Sequence, residues 1–320
     1  MAGKTTIEWA TDSWNPVRGC AIVSKGCTNC YAMRQAHRTN HPGGAYEGLT
    51  QLTKGGPVWT GHARTVPQLL DQPLRWRRPR RIFVNSMSDL FHDDVDVVFI
   101  ASVLGIASAC PQHTFQVLTK RPARMLEILQ SEEFLDAYES SQAMHTHAEI
   151  PWPPPNVWLG VSVEDQATAD ERIPLLLQTP AAVRWISAEP LLGPISFEGC
   201  WVPYKNPAIH VNWLEAINWV VVGGESGPGA RPMHPDWARL LRDQCAAVGT
   251  AFFFKQWGAW APIDYVSATD GRHLVKLVFT EREKAIGGPA EGTTPCNVRR
   301  VGKKVAGREL DGRTHDEYPA

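Results

Sequence analysis

Residues 19–32 read GCAIVSKGCTNCYA and place three cysteines within eleven residues. Cys20, Cys27 and Cys30 are spaced Cys-x6-Cys-x2-Cys. The close pair can bring two thiolates to one metal centre, and the longer loop can fold the third back onto it. Three thiolates suit an iron–sulfur cluster that leaves one iron open to a non-protein ligand. The spacing therefore predicts a [4Fe–4S] loop around which the rest of the chain is organised.

Two other interpretations of the triplet stay open at the level of the residues. A structural zinc site closes with four ligands, and His37 could be the fourth. The thiols could also carry no ligand. Disulfide pairing is the weaker interpretation, because we expect a cytoplasmic protein, where thiols stay reduced.

Composition limits the class of protein. The chain has 320 residues, 43% of them hydrophobic, which suits either two domains or one α/β barrel. The formal net charge of −1 gives no general attraction to nucleic acid or to an anionic membrane. No signal peptide and no apolar run of spanning length is present, which predicts a cytoplasmic location and no membrane partner. The remaining cysteines lack metal-like spacing and are interpreted as buried small hydrophobes or idle thiols: Cys110, Cys200, Cys245 and Cys296.

Outward from the cysteine loop, one pattern repeats: a short apolar run, a polar cluster at its end, then a helical stretch. The predicted strands are Thr5–Trp9, Arg81–Asn85, Thr114–Leu118, Val157–Val161, Val183–Ser187, Asn218–Val222 and Ala251–Phe254. The predicted helices are Asn29–Arg38, Thr65–Trp76, Val95–Ala109, Ala123–Gln130, Gln166–Leu177 and Asp236–Val248. Residues 39–66 are predicted to be irregular, 131–155 and 194–216 to be surface insertions, and the chain beyond 260 to be a Gly-rich tail with short strands.

This series predicts an α/β fold, a partial (β/α) TIM-like barrel of six to seven parallel strands with surface insertions. We expect the barrel to span residues 1–260 and residues 261–320 to form a C-terminal extension packed on it. In such folds the chemistry lies at the carboxyl ends of the strands. The polar strand ends and the cysteine loop are therefore expected to surround one cavity.

Nine stretches carry a resemblance to a known family: IEWATDSWNPVRGC, GCTNCYA, FVNSMSDLFH, QVLTKRP, WLGVSVE, ISAEPLLGPI, VVGGESGPGARPM, FFKQWG and AGRELDG. The chain resembles an uncharacterised phage and bacterial family with a three-cysteine motif, grouped near spore photoproduct lyase, and looks like a member of the radical S-adenosylmethionine superfamily. The usual superfamily spacing is Cys-x3-Cys-x2-Cys with an aromatic residue before the last cysteine. Here the first loop is longer and Tyr31 follows Cys30, which weakens the transfer of fine cofactor-binding detail.

The resemblance implies a [4Fe–4S] cluster and S-adenosylmethionine as cofactors. It implies reductive cleavage of S-adenosylmethionine to a 5′-deoxyadenosyl radical, which takes hydrogen from a substrate that the sequence does not identify. A nucleic-acid base or nucleoside is one interpretation of that substrate, and an external electron donor is implied as partner. The cofactor supplies the reactivity and the protein supplies positioning and electrostatics.

Polar residues after strands two, three and four are the candidate cofactor contacts: Ser86, Ser88, Asp89, Lys120, Ser162 and Glu164. The competing interpretations are structural. Ser88 or Asp89 could cap a helix, Lys120 could be solvated, and Ser162 and Glu164 could cap the next helix.

Glu189, Glu225 and Lys255 follow strands five, six and seven and are the candidate catalytic residues. Gly223-Gly224-Glu225 is interpreted as a substrate or adenosyl contact, because glycines let backbone approach a ligand closely. The competing interpretation of Glu189 and Lys255 is an ion pair that bridges neighbouring strands.

Two basic runs bear on partners. Residues 75–81 hold five arginines beside Trp76, and residues 299–308 hold five further Lys or Arg residues. Such runs can track a phosphate backbone, or they can be solvated connectors. A second function class therefore stays open: a non-catalytic protein, stapled by zinc or a cluster, that binds nucleic acid or protein.

Overall fold

The computed structural model describes residues 3–204, 206–265, 274–277 and 296–320, and only the backbone at 3, at 265 and within 201–211. The strands are β1 Gly3–Lys4, β2 Asp12–Trp14, β3 Val17–Gly19, β4 Thr50–Thr53, β5 Gly56–Trp59, β6 Ala63–Thr65, β7 Arg81–Val84, β8 Thr114–Thr119, β9 Val157–Ser162, β10 Val183–Ala188, β11 Trp201–Tyr204, β12 Asn206–Asn212, β13 Trp219–Gly223, β14 Ala251–Gln256, β15 Trp260–Pro262, β16 Leu274–Leu277 and β17 Cys296–Arg300. The α-helices are α1 Tyr31–His37, α2 Val97–Ser108, α3 Pro122–Leu129, α4 Glu132–His145, α5 Gln166–Gln178, α6 Pro235–Val248 and α7 Lys303–Ala306. None of the helices within these ranges is long and apolar enough to cross a membrane.

The main sheet has eight strands in the order β1-β2-β7-β8-β9-β10-β13-β14. The pairs β2–β7, β7–β8, β8–β9, β10–β13 and β13–β14 are parallel, and β1 joins β2 antiparallel at one edge. Helices connect most of the parallel strands, as parallel pairing requires. The predicted α/β partial barrel with six to seven parallel strands is confirmed.

The chain divides into two compact units, and the first comprises residues 1–161 and 178–184. Its main-sheet strands β7, β8 and β9 are mostly buried on both faces, which explains their apolar runs. Helices α2 and α4 pack closely where Gly105 meets Ser141, since a Cβ on that glycine would lie 2.6 Å from the Ser141 hydroxyl. The cysteine loop belongs to this unit.

The second unit comprises residues 162–177 and 185–320. All five residues of β13 are buried, and β14 is the last strand of the sheet. Residues 315–318 cover the outer side of β14: Phe254 donates its amide to the His315 carbonyl at 3.0 Å, and Phe253 forms a bridge with Asp316. Tyr318 stacks on Trp219 with ring centroids 5.2 Å apart. The far edge of the sheet is therefore paired with the C-terminal segment.

The first predicted strand was placed wrongly. Thr5–Trp9 is not a strand, and the parallel strand beside β7 is Asp12–Trp14. Trp9 lies in the loop before it, buried against Phe83 with ring centroids 4.6 Å apart. Its burial produced the apolar pattern that was read as a strand.

Two other segments also differ from prediction. The irregular stretch 39–66 contains β4, β5 and β6. The helix predicted over Thr65–Trp76 is replaced by two 3-10 turns, Pro67–Leu69 and Pro73–Arg75, because each proline starts a turn and withholds an amide from a longer helix.

The two predicted insertions have regular structure: 131–155 contains α4, and 194–216 contains the antiparallel pair β11–β12. Residues 266–273 and 278–295 of the predicted extension lie outside the described residues, and the boundary at residue 260 stays a prediction.

Candidate functional site

The cysteine loop lies in the first unit, between β3 and α1. Cys27 ends a 3-10 turn, Lys25–Cys27, and Cys30 is the residue before α1. Cys20 and Cys30 pack against a small core of Ala32, Met33, Ala36, Leu49, Trp59 and Met87. Gly19 precedes Cys20 with φ of +87°, and a Cβ there would lie 2.3 Å from the His62 carbonyl, so only glycine fits. The cysteine loop is thus held in place by this hydrophobic core and by the close backbone contact at Gly19.

The three thiols lie within electrostatic range of one another. Burial raises the pKa of Cys20 to about 12, with the charge of Asp89 adding to the shift and that of Arg121 opposing it. Burial also raises the pKa of Cys30, partly offset by the backbone amides of Ala32 and Met33. Cys27 and Cys30 each add a smaller upward contribution at Cys20, which shows that the three sulfurs share one neighbourhood. All seven cysteines of the chain are free thiols in this structure.

Residues 86–88, which follow β7, are hydrogen-bonded to the chain segment that precedes Cys20. Asn15 accepts hydrogen bonds from the Ser86 hydroxyl at 3.1 Å and the Met87 amide at 3.2 Å, and Ser88 donates its hydroxyl to the Val17 carbonyl at 2.8 Å. The Tyr31 hydroxyl, at the start of α1, donates to the Ser86 carbonyl at 2.7 Å. Ser86 and Ser88 therefore lie beside the cysteine loop and bind protein acceptors. Neither caps α2, which Asp96 caps.

Asp89 is the buried anchor of the same rim. Its carboxylate accepts from the Thr119 hydroxyl at 2.8 Å, the Lys120 amide at 3.1 Å, the Arg121 guanidinium at 3.0 Å and the Phe91 amide at 3.0 Å. The Asp89 and Arg121 side chains are only 7% and 9% exposed. Since its oxygens are occupied, Asp89 positions the 119–121 segment.

Arg121 is paired with Asp89 and acts electrostatically on Cys20. Its guanidinium donates to the Asp89 carboxylate at 3.0 Å. Burial would lower the pKa of Arg121, but the charges of Asp89 and Cys20 outweigh that effect and raise it. The charge of Lys120 acts on Cys30, which places the lysine near the cysteine loop. Two cations therefore face the cysteines.

His92 contributes an unpaired buried donor to this neighbourhood. Its Nδ1 accepts from the Asp94 amide at 3.1 Å, so a neutral ring carries its proton on Nε2. Burial, together with the charge of Arg121, lowers the pKa of His92. The Nε2 atom is buried and has no hydrogen-bond partner within the described part of the chain.

Three thiols on one loop are the donor set of a cluster that leaves one iron open. Among the described residues, no three His, Cys, Asp or Glu side chains converge on a point where they could hold one metal ion. One ring nitrogen of His37, the fourth ligand in the zinc interpretation, is 2.9 Å from the Thr50 hydroxyl.

The three candidate glutamates of the second unit, Glu164, Glu189 and Glu225, are each paired with a cation. Glu164 is paired with Arg172 at 3.2 Å, with side chains 1% and 3% exposed, and Arg172 also donates to the Ser162 carbonyl at 2.8 Å. Helix α5 is started by Asp165, whose carboxylate accepts from the Thr168 amide. Ser162 and Glu164 are therefore not its caps.

Glu189 and Lys255 form the ion pair that the competing interpretation predicted. Their charged atoms are 2.8 Å apart, and Ser187 donates to Glu189 at 3.1 Å. Strand β13 runs between β10 and β14. A Cβ at Gly223 of β13 would lie 2.7 Å from a Glu189 carboxylate oxygen. The glycine therefore leaves the space through which the carboxylate crosses β13.

Glu225 is also fully engaged. Its two oxygens receive the amide and the guanidinium of Arg231 at 2.6–2.9 Å. A Cβ at Gly224 would lie 2.0 Å from the Trp257 carbonyl. The Gly-Gly-Glu sequence is thus explained by close packing and an ion pair. Ligand contact at Glu189, Glu225 or Lys255 stays a prediction.

The basic runs make mostly internal contacts. In residues 75–81, Arg75 pairs with Asp71, and Arg80 pairs with Asp12 and lies 4.6 Å from the Trp76 ring. Arg77 and Arg78 are exposed and have no partner within the described part of the chain. In the second run, Arg308 pairs with Asp316 and Arg300 donates to the Gly227 carbonyl. Contact with nucleic acid stays a prediction.

Sequence reasoning missed Asn15, Thr119, Arg121 and His92. The strand end Thr119-Lys120-Arg121-Pro122 was recognised as polar, and Lys120 was selected from it. Nothing in the sequence signals that Arg121 pairs with Asp89 and acts on Cys20, because these interactions span 32 and about 100 residues.

A model of one protein family, described as "Protein of unknown function (DUF5131)", matches residues 4–319. No curated protein matches the chain.

Two solved structures are similar to it: a cysteine-to-serine mutant of spore photoproduct lyase, at 11% identity, and spore photoproduct lyase complexed with dinucleoside spore photoproduct, at 10%. Each has a TM-score of 0.38 and covers 76% of this chain. The chain spans 63% of the length of each of these structures.

Proposed function

Because the chain belongs to the DUF5131 family, whose function is unknown, we propose a function from its own residues: a radical S-adenosylmethionine enzyme with a [4Fe–4S] cluster at Cys20, Cys27 and Cys30. One observation carries the proposal. Three half-buried cysteines share one loop, and the charges of two cations, Arg121 and Lys120, act on Cys20 and Cys30 respectively. Positive charge beside the cysteines favours a bound iron–sulfur cluster, whose sulfide and thiolate sulfurs carry negative charge.

Each part of the rim has a role in this proposal. The three thiols bind the cluster as thiolates, and Tyr31 fixes the start of α1 to the end of β7. Lys120 offers an ammonium group to the carboxylate of a cofactor, and His92 offers its Nε2–H. Asp89 holds the segment that carries Lys120. When bound, the cluster supplies an open iron and one electron for cleaving S-adenosylmethionine.

The first experiment is anaerobic reconstitution of the full chain with iron and sulfide. We expect a brown protein with about four irons and four sulfides per chain, as that cluster type contains. Alanine at Cys20, Cys27 or Cys30 should abolish the colour. Cys296→Ala is the matched control and should keep it, because Cys296 lies in β17 of the second unit. Stoichiometric zinc without sulfide would contradict the proposal.

The second experiment tests the activity. The loaded protein, reduced with dithionite under argon, should release 5′-deoxyadenosine from S-adenosylmethionine even without its substrate, as read by mass spectrometry. A fully loaded cluster that gives none, and whose EPR spectrum S-adenosylmethionine leaves unchanged, would refute the enzyme. The cluster would then be structural or electron-transferring.

Arg77 and Arg78 support the proposal that the substrate or a partner is a nucleic acid. They are the two arginines of the run at 75–81 that are exposed and without a partner in the described ranges. Free guanidinium groups of this kind can contact phosphates.

A further inference from the structure

A cleft in the second unit lies between the end of α6 and residues 310–317. Its volume is about 500 Å³, within the usual range of small-molecule sites. On the side of α6, Ala246 and Gly249 have little or no side chain and leave room for a ligand. The buried side chains of Phe252 and Leu310 give the cleft an apolar floor.

Three side chains form a row along the C-terminal wall of the cleft. Arg313, His315 and Glu317 line the cleft, and the residues between them do not. This alternation is that of an extended segment, which pairs antiparallel with β14 through Phe253 and Asp316. At about 3.3 Å per residue, the two ends of the row are roughly 13 Å apart along the backbone. The row therefore presents a cation, an imidazole and a carboxylate, in that order.

The charges at the two ends of the row are not paired. Arg242, the other cation of the cleft, is held between two aspartates at 2.8 and 2.5 Å. Arg313 is exposed, and its side chain has no ion-pair or hydrogen-bond partner among the described residues. One oxygen of Glu317 accepts the Phe252 amide at 3.0 Å, and no cation of the described ranges pairs with this carboxylate. A cation and an anion thus remain for a ligand.

His315 lies between these charges with an unused ring nitrogen. The residue is 7% exposed, and its Nε2 is buried without a hydrogen-bond partner in the described part of the chain. Its ring packs edge-on against Phe252, with centroids 5.4 Å apart. Burial lowers the pKa of His315, so the ring is neutral at neutral pH and Nε2 is either a donor or an acceptor. A peptide group carries both an N–H and a C=O and can meet either form.

We propose that this cleft binds a short peptide with free ends. The peptide carboxylate pairs with Arg313, its ammonium group pairs with Glu317, and a peptide group between them bonds to Nε2 of His315. Four extended residues span about 13 Å, which is the length of the row. A simple anion would leave Glu317 unpaired, and a simple cation would leave Arg313 unpaired. The cleft and its ligand do not depend on the cluster.

The test is isothermal titration calorimetry of the full chain with tetra-alanine at millimolar concentrations. Tetra-alanine should bind, and blocking either of its charged ends should weaken binding about fivefold, as expected for the loss of one exposed ion pair. The blocked probes are the N-acetyl peptide and the C-terminal amide. No binding of tetra-alanine, or equal affinity for all three peptides, would overturn the inference.

Two variants assign the ends of the peptide. Arg313→Gln should bind tetra-alanine about fivefold more weakly and should no longer distinguish it from its C-terminal amide. Glu317→Gln keeps an oxygen for the Phe252 amide and should no longer distinguish tetra-alanine from the N-acetyl peptide. Arg38→Gln removes an exposed arginine of the first unit and is the matched control, which should bind all three peptides as wild type does. An Arg313 or Glu317 variant that keeps the wild-type preference at its end of the peptide would overturn the inference.

Discussion

Alanine in place of Gly223 should destabilise the second unit by displacing Glu189. The new Cβ would stand 2.7 Å from a Glu189 carboxylate oxygen, while that carboxylate holds Lys255 at 2.8 Å. A carbon and an oxygen cannot approach so closely, so the carboxylate must move and its charge-assisted bond must lengthen. Losing that bond costs about 1.5–3 kcal/mol. The lower backbone entropy of unfolded alanine returns about 0.4–1 kcal/mol.

We therefore expect a net loss of about 0.5–2.6 kcal/mol in the free energy of unfolding, which follows from those two ranges. The assay is urea unfolding followed by tryptophan fluorescence. Gly55→Ala is the control, since the nearest neighbour of its Cβ would be 3.8 Å away. It should not lower the free energy of unfolding, and the same entropy effect should raise it by about 0.4–1 kcal/mol.

The decisive comparison is the same Gly223→Ala change made in a Glu189→Ala background. The collision is absent there, so the penalty should vanish. An equal penalty in both backgrounds would show that Glu189 does not cross β13 as described.

Three further outcomes are expected. Asp89→Asn should lower the free energy of unfolding, measured by thermal or urea unfolding, by about 3–5 kcal/mol, because it leaves the buried Arg121 charge unpaired. The control Asp71→Asn breaks an exposed ion pair and should change that free energy by less than about 1 kcal/mol. Similar losses in the two variants would contradict the anchor role of Asp89. Tyr31→Phe should cost about 0.5–1.5 kcal/mol through the lost bond to Ser86, measured the same way, and no change would show that this bond contributes nothing. The double variant Arg77→Gln, Arg78→Gln should bind single-stranded nucleic acid with a weaker salt dependence: the slope of the logarithm of the binding constant against the logarithm of the salt concentration should fall in magnitude by roughly 1.4. Arg75→Gln should leave this slope nearly unchanged. Equal slopes in wild type and both variants would exclude the contact.

The sheet was predictable from the sequence because its strands are buried on both faces. A continuous apolar run such as Trp219–Gly223 indicates a strand that is buried on both faces, as strands of a parallel sheet are, and all five residues are buried here. Helix α4 was missed because its acidic surface hid the spacing of its buried side chains, Phe134, Tyr138 and Ser141. That spacing of four and three is helical, and charge composition was given more weight than periodicity.

The candidate site was predictable only in its residue types. The cysteine triplet is local, so its spacing is visible in the chain. The partners of its neighbours are not, since which cation meets which carboxylate depends on strand register. For that reason the sequence points to Lys120 and not to Arg121. Glu189 and Lys255 form one ion pair that bridges strands, and a catalytic role for them stays a prediction.

The pairing of residues 315–318 with β14 has a consequence for how the protein is made. Asp316 is synthesised roughly sixty residues after its partner Phe253. At about 5–20 residues per second, the outer edge of β14 waits roughly 3–12 s for its cover to leave the ribosome. An uncovered strand edge is a template for pairing with another chain. Slower translation lengthens this interval, so the yield of folded protein should fall as the rate of synthesis falls. The size of the effect is set by the number of residues between β14 and the segment that covers it.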